Sequence, residues 1–162
     1  MTLYKLNPLA KPSERYLGVD VDHNGINWRV YYDRILGNHK QALQWLTLLT
    51  HAWPASARST AYSTFVQPQL EYCAALFALA SLDVSSVTPM IIAYHDIWGL
   101  LEQSYEQATC RILGQKHFNK MHYSILGWPT LPERFLYILA SASIAQNHLQ
   151  IPPLALIQQY LT

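Results

Sequence analysis

The sequence predicts a mainly α fold, a helical bundle with one β-hairpin near its N-terminus. Long stretches repeat their apolar residues at spacings of three and four, which is the period of an α-helix. One short stretch alternates instead, and it contains an Asn-Gly pair, the strongest short signal for a hairpin turn. Of the 162 residues, 51% are hydrophobic and 13% are charged, so the chain can bury a sizeable core and does not have a disordered composition.

Residues 16–32 are predicted to form this hairpin, with Asn24-Gly25 as its turn and no other β structure in the chain. In that register Asp20 would face Arg29 across the strands as a solvated charge pair. Asp20 and Asp22 also match a metal-binding Asp-x-Asp pattern. Because no third acidic ligand lies nearby in the sequence, we prefer the charge pair and expect no metal site.

The longest predicted helix runs from Thr88 to Gly114. Thr88 can cap the first amides, Pro89 suits the first helical position, and Gly114 can take the left-handed conformation that ends many helices. At about 1.5 Å per residue this helix would be ~37 Å long, so other helices can pack along it. Its inward stripe is Met90, Tyr94, Ile97, Leu101, Tyr105, Ala108 and Ile112.

Helical patterns on both sides of this helix complete the bundle. Pro68 must break the second helical tract, Gly127 can end a short helix, and residues 130–133 form a capping box that begins another. We divide the chain into residues 1–32, an irregular lead-in with the hairpin, and residues 33–162, a helical domain. The further predicted helices cover 33–53, 54–66, 69–82, 119–126, a stretch from 130 onward, and 153–161.

The residue chemistry indicates no catalytic site and no cofactor. The sequence has no glycine-rich phosphate loop, no Gly-x-Ser-x-Gly and no Cys-x-x-Cys. Cys73 and Cys110 lie in apolar helical patterns and are predicted to be buried free thiols, which suits an intracellular location, nuclear or cytoplasmic. The densest apolar run, residues 74–82, is too short to span a bilayer, so we expect no membrane among the partners.

Charge alone is a weak signal for nucleic-acid binding. The net charge of +1 lacks the basic excess that is typical of such proteins. The loop after Gly114 is the one stretch in which basic and aromatic residues alternate. Its members are Lys116, His117, Phe118, Lys120, His122 and Tyr123.

Four stretches, in this order, resemble the C-terminal part of non-LTR (LINE-type) retrotransposon reverse transcriptases. YLGV at 16–19, followed by a short turn and Trp28, resembles the primer-grip hairpin. FVQPQLEY at 65–72 resembles the thumb pattern LVRPxLEYG, with a cysteine where the pattern has its glycine. LEQSYEQATCRILG at 101–114 resembles LExxQxxAxRxILG, and LGWPTLPER at 126–134 resembles LGLPxLxxRR.

The resemblance implies a helical, thumb-like bundle that binds nucleic acid without catalysing a reaction. It would position a primer–template duplex, RNA–DNA or DNA, and bind it weakly. The family's Tyr-x-Asp-Asp element has no counterpart here, so Mg²⁺ and polymerase activity would belong to a missing palm, and a palm or fingers segment would be a partner. The residues implied beside the primer are Tyr16, Leu17 and Gly18. Those implied on the nucleic-acid backbone are Lys40, Arg58, Arg111, Lys116 and Lys120.

One departure from the family leaves a second hypothesis open. The family's long thumb helix is rich in Lys and Arg on its exposed face, whereas here only Arg111 is basic on that face. The chain would then be a domesticated or decayed retroelement fragment that acts as a helical protein-interaction scaffold. Four aromatic residues are candidate contacts with a partner protein, and the alternative is that they are buried in the core: Trp45, Trp53, Tyr62 and Trp128.

Overall fold

The computed structural model describes residues 14–16, 18–22, 25–83 and 90–149. In these ranges seven α-helices form most of the structure, and short antiparallel strands form two small sheets. The strands are β1 Glu14–Tyr16, β2 Val19–Asp22, β3 Gly25–Ile26, β4 Leu82–Asp83 and β5 Met90–Ile91. The helices are α1 Trp28–Leu49, α2 Ala55–Phe65, α3 Gln67–Glu71, α4 Ala74–Ser81, α5 His95–Leu113, α6 Met121–Leu126 and α7 Leu131–Leu149.

The predicted fold class, mainly α with an N-terminal hairpin, is confirmed. Several expectations concern parts of the chain that lie outside the described residues. They are the lead-in before Glu14, Leu17, the start signal Thr88-Pro89 and the last helix, 153–161.

The hairpin has a different register from the predicted one. Strand β2 pairs with β3 through Val21–Ile26 and Asp22–Gly25, and β1 adds a third strand on its other edge. Gly25 therefore belongs to β3, where it pairs with Asp22, and it has a φ of 106°. The positive φ that the Asn-Gly pattern indicated is present at Gly25, but this residue is in a strand and not in the predicted turn; His23 and Asn24 lie outside the described residues.

The second predicted strand of the hairpin is instead the start of α1. Asn27 caps this helix, since its side-chain oxygen accepts a hydrogen bond from the Val30 amide at 3.1 Å. The apolar residues of 26–32 fit a period of two and a helical period equally well, and the cap favours the helix. Helix α1 thus runs through the predicted boundary between residues 32 and 33. Its buried stripe is Trp28, Tyr31, Tyr32, Ile35, His39 and Leu43.

The predicted charge pair between Asp20 and Arg29 does not form, because Arg29 lies on a helix. Arg29 pairs with Asp96 at the start of α5. Asp20 is only 6% exposed and accepts a hydrogen bond from Arg34 Nη2 at 2.8 Å. The expectation of a solvated carboxylate is therefore wrong, and the Asp20–Arg34 pair joins β2 to α1.

Helix α5 begins later than predicted. Met90 and Ile91 form β5, which pairs with β4, so the expectation of no β structure beyond the hairpin is also wrong. Tyr94 has a φ of 55°, a left-handed conformation that cannot continue a helix toward the N-terminus. The helix has 19 residues, and at ~1.5 Å per residue it is ~28 Å long. Its predicted end is confirmed, since Gly114 follows with a φ of 69°.

Other local sequence signals predicted some of the helix ends correctly and missed others. Pro68 lies in the first turn of α3, after a break at Val66, as predicted, but a further break before α4 divides the predicted helix 69–82. Gly127 ends α6 with a φ of 67°. In the capping box, Glu133 accepts hydrogen bonds from the backbone amide and the hydroxyl of Thr130, at 2.8 and 2.7 Å.

Aromatic side chains fill the core. Phe77 of α4 lies at its centre, and its ring contacts five other aromatic rings, those of Trp28, Tyr32, Tyr94, Trp98 and Phe135. A second stack places the half-buried Trp128 between Tyr62 and Tyr105, at centroid distances of 4.9 and 5.2 Å. Tyr62 and Trp128 are thus packing residues, whereas Trp45 is exposed. Both cysteines are buried and free, as predicted.

Residues from all four motif stretches contact one another, since Gly18 of the first packs on Tyr72 of the second. Glu71 accepts hydrogen bonds from Arg134 Nε at 2.7 Å and Nη2 at 3.3 Å, which joins α3 to α7. The stack of Tyr105 on Trp128 joins α5 to the segment before α7. These motif residues therefore have a structural role in holding the helices together.

Candidate nucleic-acid interface

A groove of ≈ 470 Å³ lies between α1, α5 and the loop that follows α5. Lys40 from α1 and Lys116 from the loop both line it. We call it the basic groove. Its other polar lining residues come from one face of α5 and are Gln103, Ser104, Glu106 and Gln107.

A buried histidine fixes α1 against α5 beneath the basic groove. His39 is fully buried, and its Nδ1 lies 2.8 Å from Ser104 Oγ while its Nε2 lies 3.0 Å from Tyr62 Oη. Burial lowers the pKa of His39 to about 4, so the ring is neutral at neutral pH and adds no charge to the groove. The contact joins residues 65 positions apart in the chain, and no local sequence pattern indicated it.

This Ser–His pair lacks the third member of a catalytic triad. In a triad, an anionic group orients the base and stabilises the imidazolium that forms. Here the second partner of His39 is the phenol of Tyr62, whose pKa burial raises well above its usual value, so it stays neutral. We therefore interpret the Ser104–His39–Tyr62 chain as a structural contact.

Acidic residues offset part of the positive charge. Glu106 lines the basic groove, and burial together with nearby Glu102 raises its pKa, while Lys120 acts in the opposite direction. Lys120 thus lies close enough to Glu106 to interact with it. A phosphate in this groove would meet two lysines and a neighbouring carboxylate.

The two predicted arginine contacts lie at the C-terminal end of α5. Arg58 Nη1 donates to the backbone carbonyl of Arg111 at 3.1 Å, where the negative end of the helix dipole favours a cation. Both side chains are half-buried. The five predicted cations therefore border the second half of α5, but Arg58 already has a structural partner there.

The predicted primer-grip residues lie elsewhere. Tyr16 pairs with Val19 through the backbone, and Gly18 lies in the turn between them with a φ of 83°. The Gly18 carbonyl accepts a hydrogen bond from Arg34 Nη2 at 2.7 Å. A methyl group at Gly18 would lie 3.3 Å from the Tyr72 ring, so glycine allows that ring to pack closely.

A second groove, of ≈ 610 Å³, lies on the Tyr72 side of α1, between α1 and α3. We call it the aromatic groove. Two exposed rings line it, Trp45 at 59% and Tyr72 at 64% exposure. The other lining residues are Ile35, Asn38, Gln41, Ala42, Pro68 and Gln69. Its parts come from helices that meet only through tertiary packing, which is why the sequence did not indicate it.

The two grooves lie on opposite faces of α1. At about 100° per residue, Lys40 is ~200° around the helix axis from Asn38. Gly18, a predicted primer-grip residue, packs on Tyr72 beside the aromatic groove. The structure therefore places Lys40 and Gly18 on different surfaces. It does bring Lys40 and Lys116 together.

Metal and membrane features give no further lead. Within the described ranges, no group of three or more His, Cys, Asp and Glu side chains is placed to hold a metal ion. None of the helices described here has both the length and the apolar character needed to cross a membrane.

No protein-family model, curated protein or solved structure matches this chain. The resemblance to reverse transcriptases therefore depends on the four motif stretches alone.

Proposed function

We propose that this chain is a non-catalytic nucleic-acid-binding module, the thumb and primer-grip portion of a reverse transcriptase. It would hold a primer–template duplex for a palm that lies on another segment and supplies the Mg²⁺ site. The observation that carries this proposal is the shared groove of Lys40 and Lys116 beside α5, the helix of the third motif stretch. Duplex binding of this kind fits a nuclear or cytoplasmic location.

The contacts in the basic groove would be with phosphates. Lysine ammonium groups bind phosphate as point charges, and the side-chain amides of Gln103 and Gln107 can donate hydrogen bonds to phosphate oxygens. Such contacts position a duplex without reading its sequence. The groove has few cations, and the carboxylate of Glu106 lies beside them. The non-specific affinity for nucleic acid should therefore be no better than about micromolar at physiological salt.

The direct test is a fluorescence titration of a labelled RNA–DNA hybrid with the chain and with the variant Lys40→Ala/Lys116→Ala. The variant should bind hybrids of unrelated sequence more weakly, and to the same extent. The control is Arg29→Gln, which removes a positive charge from the other end of α1, where the side chain is 70% exposed. The variant loses two positive charges and the control one, so an equal loss of binding free energy per charge removed would show that general charge, and not the basic groove, governs binding.

A second candidate is the protein-interaction scaffold, favoured by a different observation. Large apolar side chains are exposed around the end of α1 and on α2 and α3, and exposed apolar patches mark interaction surfaces. Undetectable hybrid binding even at low salt would eliminate the duplex module and favour this candidate. The exposed residues are Trp45, Leu48, Leu49, Trp53, Phe65 and Tyr72.

A further inference from the structure

We infer that the aromatic groove binds an unstacked base of single-stranded nucleic acid. This inference rests on the proposed nucleic-acid function and adds a second contact surface to it. The basic groove would contact the phosphates of a duplex, and the aromatic groove would take a base from a strand that is not paired.

The exposed rings provide the stacking surface. Trp45 and Tyr72 line the same groove and are both more than half exposed. Bases of any sequence stack on such rings, because every base has a π face, and in proteins that bind single strands this stacking adds to contacts between cations and the backbone. Tyr72 is held in place, since its ring packs against Gly18 at a position where a Cβ atom would lie 3.3 Å away.

The polar lining fits the edge of a base. Three side-chain amides line the groove, from Asn38, Gln41 and Gln69, and amides both donate and accept hydrogen bonds as base edges do. The side chains of Asn38 and Gln41 are exposed, so their amides can reach the edge of a base, whereas the buried side-chain oxygen of Gln69 cannot.

The charge of the lining favours a base over a phosphate. Among the described residues, no Lys, Arg, Asp or Glu lines the aromatic groove. None of these residues offers a phosphate a cation, whereas an uncharged aromatic ring would lose little hydration. A base within a duplex is stacked on its neighbours and paired, so only a single strand can offer one.

The test begins with adenosine, which has a base and no phosphate, titrated into the full chain and followed by NMR. Adenosine should shift the indole N–H signal of Trp45, assigned from its loss in Trp45→Ala, and ribose alone should not. The matched control is Trp53→Ala, a similarly exposed tryptophan outside the groove. In that variant the adenosine shift should remain.

Oligonucleotides then separate this inference from the proposed duplex function. Trp45→Ala should weaken binding of a short adenine strand about tenfold and leave binding of an abasic strand of equal length unchanged. Gln41→Leu, which removes an exposed amide of the groove, should also weaken binding of the adenine strand. Equal affinity for adenine and abasic strands would overturn the base site while leaving phosphate binding intact. Loss of hybrid binding alone would instead remove the duplex function.

One further outcome would also overturn the inference. A proline-rich peptide could use the same Trp, Tyr and amide side chains. If such a peptide shifts the Trp45 signal and adenosine does not, the groove is a peptide site. In all variants, an unchanged denaturation midpoint confirms that the fold is intact.

Discussion

The buried His39 should make the stability of this protein depend on pH in a calculable way. Its pKa is about 4 in the folded chain, whereas an unfolded chain has the ordinary value near 6.5. The unfolded state therefore binds a proton first as the pH falls. The contribution of His39 to the free energy of unfolding is fully present at a pH where the ring is neutral in both states. This contribution is lost as the pH falls below ~6.5, and the loss ends near pH 4.

The size of this effect follows from the two pKa values. The difference between the two pKa values corresponds to about 3 kcal/mol at the low-pH limit. Between pH 7.5 and pH 5, the same linkage relation gives a loss of about 2 kcal/mol from His39 alone. No charged partner reduces this cost, because the two groups bonded to the ring are the hydroxyls of Ser104 and Tyr62.

The assay is urea unfolding at pH 7.5 and pH 5, followed by circular dichroism. The variant His39→Gln cannot titrate, so its free energy of unfolding should fall by about 2 kcal/mol less than that of the native chain over this range. His51→Gln, at an exposed histidine, controls for the loss of a histidine as such. If the native chain and His39→Gln lose stability in parallel, His39 does not titrate as burial requires and the reasoning is wrong.

Three other predictions concern packing and activity. Gly18→Ala should destabilise the fold by about 1–2 kcal/mol, because Gly18 has a positive φ. Gly37→Ala, on an open helix surface, should stabilise the fold by about 0.5–1 kcal/mol. Thermal melts in which both glycine variants shift the midpoint in the same direction would contradict these two expectations. A double-mutant cycle with Glu71→Gln and Arg134→Met should give a coupling of about 1–3 kcal/mol, and zero coupling would show that their hydrogen bonds contribute nothing. With Mg²⁺ or Mn²⁺ the purified chain should not extend a primer. Incorporation that survives mutation of both Asp20 and Asp22 would contradict that expectation, and incorporation that is lost on that mutation would favour the Asp-x-Asp metal site instead.

The elements that the sequence predicted well are those with a local signal at their ends. Gly114 and Gly127 both have the positive φ that ends a helix, and in the Thr130–Glu133 box Glu133 accepts the expected hydrogen bond from the Thr130 amide. The reciprocal half of the box differs, because the Thr130 hydroxyl donates to the Glu133 carboxylate. Such signals involve residues within one turn of each other. They therefore act in the same way whatever the rest of the chain does.

The errors occurred where one pattern permits two structures. The residues from Trp28 to Tyr32 fit a strand and a helix alike, and the Asn27 cap favours the helix. Once that stretch is helical, the predicted strand pairs cannot form. Similarly, the apolar period continues from Met90 into α5, but the left-handed Tyr94 separates a strand from the helix.

The candidate sites could be predicted only in part. The sequence singled out Lys40 and Lys116, but it could not place them in one groove, because they lie 76 positions apart (116 − 40) and meet only when α1 packs on α5. The aromatic groove and the His39–Ser104 contact also depend on packing between distant segments. No periodicity or motif within either segment encodes such contacts.

The most direct test of the central claim, that this chain binds nucleic-acid backbone through the basic groove, is the salt dependence of hybrid binding. With Lys40, Lys116 and Lys120 in contact, the log–log slope of affinity against salt should be roughly −2 to −3. In Lys40→Ala/Lys116→Ala it should become shallower by about 1.4–1.8, since each lost phosphate contact contributes about 0.7–0.9. A slope that is the same in the native chain and in the variant would contradict the claim.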